Sequence, residues 1–346
     1  MKNRIVLFAF VLVSFAFSSR PSSALQQKPS TKKANFEIGY NEAWFGNDYL
    51  YSMIKTFDIN YVNKVFADIK SSGGDIVRMY LFQVRQGLVI NQFAPQTAGI
   101  DPVMFANIKS MLDSARAHGL RVYFTLHDAD AMPAPPQSEL RDYYFNLIHN
   151  KFGEADAFNA NVMTPLLNLL SQYQDTVYGI DLANELSAAI KNQYWGLFDQ
   201  FDGPRRWLKS MRDFIRTQAP WIRVSCSAMN TADVEGGLYS DLGLDFYDVH
   251  IYNDKGEIPY FYELCDIVHK TGIPIIVGEF GQLGQNVDDA LQSSVTLNLL
   301  NNAKNQCFSG AIAWRFDPAD VVYHYQRSDG TLRPAVDVIK AFKAGL

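Results

Sequence analysis

Short apolar strands alternate with amphipathic helices eight times between residues 35 and 346. Ile, Val, Tyr and Phe dominate the strand segments. The helices repeat apolar residues every three or four positions, as Val62, Val65, Phe66 and Ile69 do. The predicted strands span residues 36–40, 75–81, 120–127, 178–185, 223–228, 246–252, 273–281 and 310–316.

This alternation predicts an α/β protein, a (β/α)8 TIM barrel that forms a single domain over residues 35–346. Eight strand–helix repeats fit a closed barrel, which commonly exceeds 250 residues. An open doubly wound sheet that binds a dinucleotide is disfavoured, because no Gly-x-Gly-x-x-Gly sequence follows the first strand. No linker-like segment divides the predicted domain.

Two segments lack a repeating apolar pattern and are expected to be long loops. Residues 128–161 contain Pro133, Pro135 and Pro136, which argue against regular structure, and residues 186–203 contain Trp195. Loops of this length inside a compact domain are usually functional. We expect Trp44 and Trp195 to lie in loops that border a site.

The first 24 residues have the features of a secretory signal peptide. Lys2 and Arg4 precede an apolar run over residues 5–17, which is too short to span a bilayer comfortably. Residues 25–34 are polar and are predicted to be a disordered lead-in. We therefore expect a secreted protein, extracellular or periplasmic, that is monomeric and leaves the membrane after signal cleavage. The net charge of −5 gives no basic surface for nucleic acid.

Three cysteines exclude complete pairing within one chain. Cys226 falls in a predicted strand, so we expect it in the core. Cys265 and Cys307 are able to pair in an oxidising compartment, but the sequence leaves their pairing open.

Polar and aromatic residues end most of the predicted strands. In a barrel of this kind the active site lies at the carboxyl ends of the strands, so these side chains are expected to converge on one cavity. A convergence of this size is unlikely to arise by chance. The strand-end residues are Arg78, His127, Asn184, Glu185, His250, Tyr252, Glu279 and Trp314.

Glu185 and Glu279, each at the end of a buried strand, suggest a carboxylate pair that acts on one substrate. Hydrolysis of a glycosidic bond uses such a pair: one carboxyl protonates the leaving oxygen and the other attacks the anomeric carbon. Arg78 and Tyr252 are placed to keep Glu279 charged and oriented. This chemistry needs no cofactor.

Two other strand ends fit contacts with a sugar. Asn184, beside Glu185, is suited to bind the 2-hydroxyl group, a contact that strengthens in the transition state. The indole of Trp314 is suited to stack on a sugar ring, because one face of a pyranose consists largely of C–H groups.

At these residues the chain resembles the retaining glycoside hydrolases of the large (β/α)8 clan, most closely family 5, the cellulase and mannanase family. The resemblance extends from Phe36 to about Phe342 and implies a polysaccharide or oligosaccharide substrate. It implies Glu185 as acid/base and Glu279 as nucleophile, with Arg78 and Tyr252 supporting the nucleophile. It further implies that Asn184, His127 and His250 position the substrate or lie just behind the residues that contact it.

The resemblance leaves several functions open. A secreted enzyme that cleaves β-1,4-mannan or β-1,4-glucan internally is one. An exo-acting β-glycosidase or a transglycosylase on short oligosaccharides is another, and the loops after the third and fourth strands would decide between them. A non-catalytic glycan-binding barrel is disfavoured because both carboxylates are present. A metal-dependent hydrolase is disfavoured because no His-x-His sequence or cluster of ligands occurs at the strand ends.

Overall fold

Nine parallel strands form the central sheet in a computed structural model that describes residues 36–46, 52–128, 139–187, 202–282, 288–318 and 323–346. Within these ranges the strands are β1 (Glu37–Asn41), β2 (Ile76–Tyr80), β3 (Leu88–Ile90), β4 (Thr97–Ile100), β5 (Arg121–Thr125), β6 (Val177–Asp181), β7 (Val224–Ser225), β8 (Ser227–Ala228), β9 (Tyr247–Tyr252), β10 (Ile275–Gly281) and β11 (Phe308–Ala313). The helices are α1 (Ile59–Ser71), α2 (Pro102–Ala117), α3 (Glu139–His149), α4 (Glu154–Phe158), α5 (Thr164–Leu170), α6 (Asp202–Gln218), α7 (Thr231–Glu235), α8 (Phe261–Thr271), α9 (Asp289–Asn305) and α10 (Pro334–Ala344).

Some of the sequence predictions fall outside these ranges. The predicted signal peptide (residues 1–24), the predicted lead-in (residues 25–34) and Trp195 all lie outside the described residues. In the part of the chain that the structure describes, no helix combines the length and the apolar character needed to cross a bilayer.

The order of the strands closes the sheet into a barrel. The order is β7-β6-β5-β2-β1-β11-β10-β9-β8, and each neighbouring pair is parallel. The two end strands, β7 and β8, are separated along the chain by Cys226 alone. They share the fifth strand position of the barrel, so the predicted (β/α)8 architecture is confirmed. Strands β3 and β4 form a separate antiparallel hairpin that the strand–helix alternation does not predict.

The barrel interior changes from apolar to polar toward the carboxyl ends of the strands. Six buried residues form its apolar part: Ile76, Tyr123, Tyr178, Phe246, Ile276 and Ile312. Alternate residues of a strand share one face. Arg78 therefore follows Ile76 on the interior face of β2, and Asp248, His250 and Tyr252 follow Phe246 on the interior face at β9.

Side-chain caps fix the starts of several outer helices. The carboxylate of Asp101 accepts a hydrogen bond from the backbone N–H of Val103 at 2.7 Å, and Pro102 begins α2. The Asp288 carboxylate accepts one from the N–H of Leu291 at 2.7 Å and begins α9. Both carboxylates satisfy backbone donors that the helix itself leaves unpaired.

The prediction of an irregular segment over residues 128–161 is wrong for its second part. Helix α3 begins at Glu139, after the prolines, and buries Tyr143, Tyr144, Leu147 and Ile148. These four residues have the spacing of one helix face. Proline restricts its own position and the residue before it, so the cluster at residues 133–136 does not prevent a helix further along the chain.

A disulfide joins Cys265 of α8 to Cys307, which directly precedes β11. The two Cα atoms are 5.4 Å apart, within the usual range for a disulfide. Cys265 and Cys307, whose pairing the sequence leaves open, are therefore paired in the structure. Cys226 is buried and unpaired as expected, and its thiol donates a hydrogen bond to the carbonyl oxygen of Ala183 at 3.3 Å.

We expect the double variant Cys265→Ala/Cys307→Ala to lose about 2–4 kcal/mol of unfolding free energy, because the disulfide limits the conformations of the unfolded chain. Urea denaturation measures this loss. The activity of the folded variant at 25 °C should stay close to that of the unaltered protein, since Cys307 precedes β11 at the barrel end opposite the cavity. Equal stabilities of the two proteins would contradict the prediction.

Candidate active site

A cavity of about 620 Å³ opens at the carboxyl ends of the barrel strands. Its lining combines acids, amides and aromatic rings, as the strand-end pattern predicts. The lining residues are Trp44, Tyr80, Asp128, Asn184, Glu185, Met229, Asn230, Thr231, His250, Ile251, Tyr252, Asn253, Pro259, Glu279, Trp314 and Tyr323.

Glu279 of β10 is held at both oxygens of its carboxylate. Oε1 accepts a hydrogen bond from the Arg78 guanidinium at 2.5 Å, and Oε2 accepts one from the Tyr252 hydroxyl at 2.7 Å. Burial raises the pKa of the Glu279 carboxyl, whereas His250, Arg78 and Tyr252 act in the opposite direction. Arg78 and Tyr252, which the sequence places beside Glu279, both contact its carboxylate in the structure.

Arg78 of β2 is fully buried at the centre of the site. Its second terminal nitrogen donates to Asp181 and to Asn184, each at 2.8 Å. Burial alone would lower the pKa of this guanidinium, but the surrounding acidic groups raise it above the usual range for arginine. Arg78 is therefore a fixed positive charge against which the nearby carboxylates are arranged.

Glu185 lies beyond the end of β6, where the chain leaves the sheet. Its φ angle is +47°, a left-handed conformation that is uncommon for a residue with a side chain and that recurs at functional sites. Its backbone N–H donates to the Ser227 hydroxyl at 3.1 Å, and its Oε1 lies 2.6 Å from Nδ1 of His250. These contacts direct the carboxylate into the cavity.

His250 lies between the two glutamates and a buried aspartate. Its Nδ1 is 3.5 Å from Glu279 Oε2, and its Nε2 is 3.8 Å from Asp248 Oδ1. Burial lowers the pKa of His250, and burial raises the pKa of Asp248 to about 6. The Asp248 carboxylate is anchored by the Tyr123 hydroxyl at 2.8 Å. A Cβ atom at Gly278 would overlap it.

Asp248 was not identified from the sequence. The sequence does contain a pattern that indicates it, because Asp248 precedes His250 and Tyr252 at two-residue spacing on the same strand face. Asp181, which accepts from Arg78, was missed as well, and it has no such regular spacing to reveal it.

Asn184 is fixed by neighbours on both sides of its amide. The amide nitrogen donates to Asp128 Oδ1 at 3.2 Å, and the oxygen accepts from Arg78. Asp128 is in turn bonded by the Gln83 amide, whose oxygen accepts from the indole of Trp44 at 2.6 Å. This chain of contacts links the polar base of the cavity to one of its aromatic residues.

Three aromatic residues, Trp44, Tyr80 and Trp314, form what we call the aromatic wall of the cavity. Trp44 stacks on Tyr80 with ring centres 5.7 Å apart and planes 9° apart. The ring of Trp314 meets Trp44 edge-on at 6.0 Å. Trp44 and Trp314 thus line the cavity as predicted, whereas Tyr80 was not identified from the sequence.

His127 does not reach the cavity. Its ring is fully buried among Phe158, Tyr144 and Trp207, with ring centres 5.1, 5.7 and 6.0 Å away. The regular alternation of β5 ends at Thr125, two residues earlier, so the strand no longer directs this side chain. His127 therefore has no direct contact with the cavity, but it lies behind Asn184, whose backbone N–H donates to the His127 carbonyl oxygen at 2.8 Å. Burial lowers the pKa of His127 to about 3.

Glu185, His250 and Glu279 each offer one potential metal-ligating atom, and these atoms lie within 4.8 Å of one another. In the structure the same side chains are engaged in hydrogen bonds: Glu185 with His250, and Glu279 with Arg78 and Tyr252. The arrangement brings two carboxyl groups together at one cavity, one of them beside a cation and one partly exposed.

Comparison with known proteins identifies the family. Residues 32–319 match the family described as Cellulase (glycosyl hydrolase family 5), and the chain belongs to that family and is a glycoside hydrolase. A mannan endo-1,4-beta-mannosidase from Mytilus edulis is 25% identical over an alignment that covers 71% of this chain and 76% of the mussel protein.

Solved structures share the fold. An endo-1,4-beta-mannanase from Eisenia fetida superposes with a TM-score of 0.67 and 16% identity, covering 89% of this chain and 91% of its own. An exo-beta-1,4-mannosidase from Opitutaceae bacterium strain TAV5 gives a TM-score of 0.66 and 15% identity, covering 90% of this chain and 59% of its own.

The burial of His127 predicts a pH dependence of stability. Its pKa is about 3 in the folded state, against 6.5 for an unperturbed histidine. The unfolded chain therefore binds more protons between these values, and the unfolding free energy falls as the pH falls, by about 1.4 kcal/mol per pH unit from this residue. We expect His127→Phe to lose stability less steeply between pH 6 and pH 4 in urea denaturation.

The exposed variant His269→Gln controls for the loss of a histidine. A His127→Phe protein with the same pH dependence as the unaltered chain would count against the buried neutral state.

Proposed function

We propose that this protein is a retaining β-mannanase that hydrolyses internal β-1,4 bonds of mannan by double displacement. The observation that carries the retaining mechanism is the proximity of the two carboxyl groups, whose nearest oxygens lie within 4.8 Å of each other. Retaining enzymes hold their carboxyl groups about 5–5.5 Å apart, whereas inverting enzymes leave about 6.5–9.5 Å for a water molecule.

Glu279 is the nucleophile in this proposal. Its carboxylate attacks the anomeric carbon while the bond to the leaving oxygen breaks, and a covalent glycosyl-enzyme forms. The Arg78 cation and the Tyr252 hydroxyl support the ionised form against the effect of burial and fix its orientation. Tyr80, whose hydroxyl lies 3.4 Å from Oε1, adds a third donor on the same side.

Glu185 is the acid/base. Its side chain is 16% exposed, against 6% for Glu279, so it faces the open part of the cavity where a leaving group departs. It gives its proton to the leaving oxygen in the first step. In the second step it takes a proton from the water that attacks the anomeric carbon and releases Glu279. His250, at 2.6 Å, orients this carboxyl in both steps.

The remaining cavity residues suit a sugar substrate. The aromatic wall offers apolar faces on which the C–H groups of a sugar ring pack. Asn184, already held by Arg78 and Asp128, lies next to the acid/base and is placed to bind the 2-hydroxyl group. Mannan is favoured over glucan as the substrate because the mussel relative is a mannan endo-1,4-beta-mannosidase, and the two structural neighbours described above are a mannanase and a mannosidase.

Exo-acting hydrolysis is the second candidate, because one structural neighbour, with a TM-score of 0.66, is an exo-beta-1,4-mannosidase. The two modes differ in whether one end of the cavity is blocked. The products distinguish them: internal cleavage gives a range of oligosaccharides from the start, whereas exo-cleavage gives one small product.

We also propose that the enzyme acts outside the cell. The apolar segment at residues 5–17 supports this, and so does the Cys265–Cys307 disulfide, which needs an oxidising environment to persist.

We expect the mature protein to release reducing sugar from mannan and glucomannan, and much less from carboxymethyl-cellulose, mixed-linkage β-glucan and xylan. Glu279→Ala should lower the rate on mannan by at least about 10³-fold, because it removes the nucleophile. The exposed variant Glu263→Ala serves as the matched control. Full activity of Glu279→Ala would overturn the mechanism, and a preference for another polymer would overturn the substrate assignment.

We expect Glu185→Ala to reduce kcat/KM on mannohexaose by about 10²–10⁴-fold, the usual contribution of a general acid. An aryl β-mannoside with a 2,4-dinitrophenolate leaving group needs little protonation, so its kcat/KM should fall less than about tenfold. Kinetics on the two substrates measure the difference. Equal losses on both would rule out the acid role of Glu185.

A further inference from the structure

Three buried charged residues lie behind the aromatic wall and take no part in the proposed reaction. Glu42 follows β1 directly, and Arg315 and Asp317 follow β11. None of them has exposed surface, and none lines the cavity. Buried charges are costly unless they are well paired, so a group of three calls for a structural reason. We call these residues the Arg315 cluster.

Asp317 is the hub of the Arg315 cluster. One of its oxygens accepts from the Arg315 guanidinium. The other accepts from the backbone N–H of Gly46 at 2.9 Å and from the Tyr61 hydroxyl at 3.0 Å. The backbone N–H of Asp317 donates to Glu42 at 3.2 Å. The carboxylate thus joins the segment after β11 to the segment after β1.

Arg315 connects this hub to the aromatic wall. Its guanidinium donates to the carbonyl oxygen of Trp44 at 3.0 Å and also lies over the Trp44 ring, 4.9 Å from the ring centre. It is also the next residue after Trp314. One buried cation therefore contacts the backbone and the ring of one tryptophan of the wall and is covalently adjacent to the other.

We propose that Arg315, held in place by Asp317, is a positioning residue that fixes Trp44 against Tyr80 and Trp314 so that the aromatic wall is preformed for a sugar ring. The role in sugar binding rests on the proposed function, whereas the effect on the wall itself does not. A preformed wall lowers the entropic cost of binding, because the indole does not have to be ordered by the substrate.

The charges of the Arg315 cluster determine which substitution tests the proposal and which one serves as its control. Burial raises the pKa of the Glu42 carboxyl well above its usual range, Asp317 adds to this, and Arg315 opposes it. Asp317 contacts the Arg315 guanidinium directly, whereas the nearest Glu42 oxygen lies 4.0 Å from it. Asp317→Asn therefore removes the negative charge that is bonded to Arg315, whereas Glu42→Gln, an equally small change, leaves that bond in place.

The test compares Asp317→Asn with Glu42→Gln. We expect Asp317→Asn to lower kcat/KM on mannohexaose tenfold or more and to reduce the near-ultraviolet circular dichroism of the indoles by at least a third. Glu42→Gln should change kcat/KM on mannohexaose less than threefold and leave the near-ultraviolet dichroism of the indoles unchanged. Equal effects of the two variants on both measurements would overturn the proposal.

A double-mutant cycle distinguishes an effect of Asp317 on the position of Trp44 from a general disturbance of the fold. If Asp317 acts through Trp44, Asp317→Asn should reduce kcat/KM less than threefold when Trp44→Ala is already present. Fully additive losses would refute action through Trp44. If Asp317→Asn does not fold, Tyr61→Phe is used instead, because it removes one donor to Asp317. It should lower kcat/KM and the indole dichroism in the same direction but less strongly. Its effect on kcat/KM should again shrink when Trp44→Ala is already present. No change in Tyr61→Phe would then overturn the proposal.

The dichroism measurement does not depend on the proposed function. If the unaltered protein does not hydrolyse mannan, the proposed function fails. The dichroism of Asp317→Asn against Glu42→Gln still decides whether the cluster fixes the aromatic wall.

Discussion

The buried guanidinium of Arg78 is the contact on which the site depends. An arginine without exposed surface must have its charge balanced, and Arg78 achieves this with Asp181 of β6 and Glu279 of β10. The same two terminal nitrogens also donate to Asn41 of β1 and to Asn184 beyond β6. The same contacts hold strands from three positions around the barrel and fix the proposed nucleophile, so stability and site geometry are set by one side chain.

The two glutamates differ because Arg78 reaches only one of them. Glu279 lies against the cation, where burial and charge pairing oppose each other. Glu185 lies at the partly exposed end of the site and contacts His250 instead. A pair of like groups in unlike surroundings is how one site obtains both an acid and an ionised carboxylate. The two carboxyl groups have different surroundings because they lie at different depths in the barrel: Glu279 lies within β10, and Glu185 lies beyond the end of β6.

The sequence predicts those parts of the site that follow from strand periodicity. Glu279, Arg78 and Tyr252 lie where regular strands place them, and the eight-fold alternation predicts the barrel itself. His127 lies two residues beyond the end of β5, and its ring packs among Phe158, Tyr144 and Trp207 instead of facing the cavity as strand alternation would place it. Tyr80 follows Arg78 at two-residue spacing on the interior face of β2, so strand periodicity also contains the signal for it. Asp181 depends on which strands become neighbours, and that information is in the pairing rather than in the local pattern.

Neighbouring residues at the end of β1 connect the two buried charge systems. Asn41 accepts from Arg78 and donates to the carbonyl oxygen of Gly278 at 2.9 Å, beside the proposed nucleophile. Glu42, the next residue, accepts from the backbone of Asp317 behind the aromatic wall. Successive side chains point to opposite sides of an extended chain. One short segment therefore contacts the surroundings of the proposed nucleophile on one side and the Arg315 cluster on the other, so a displacement of β1 would disturb both together.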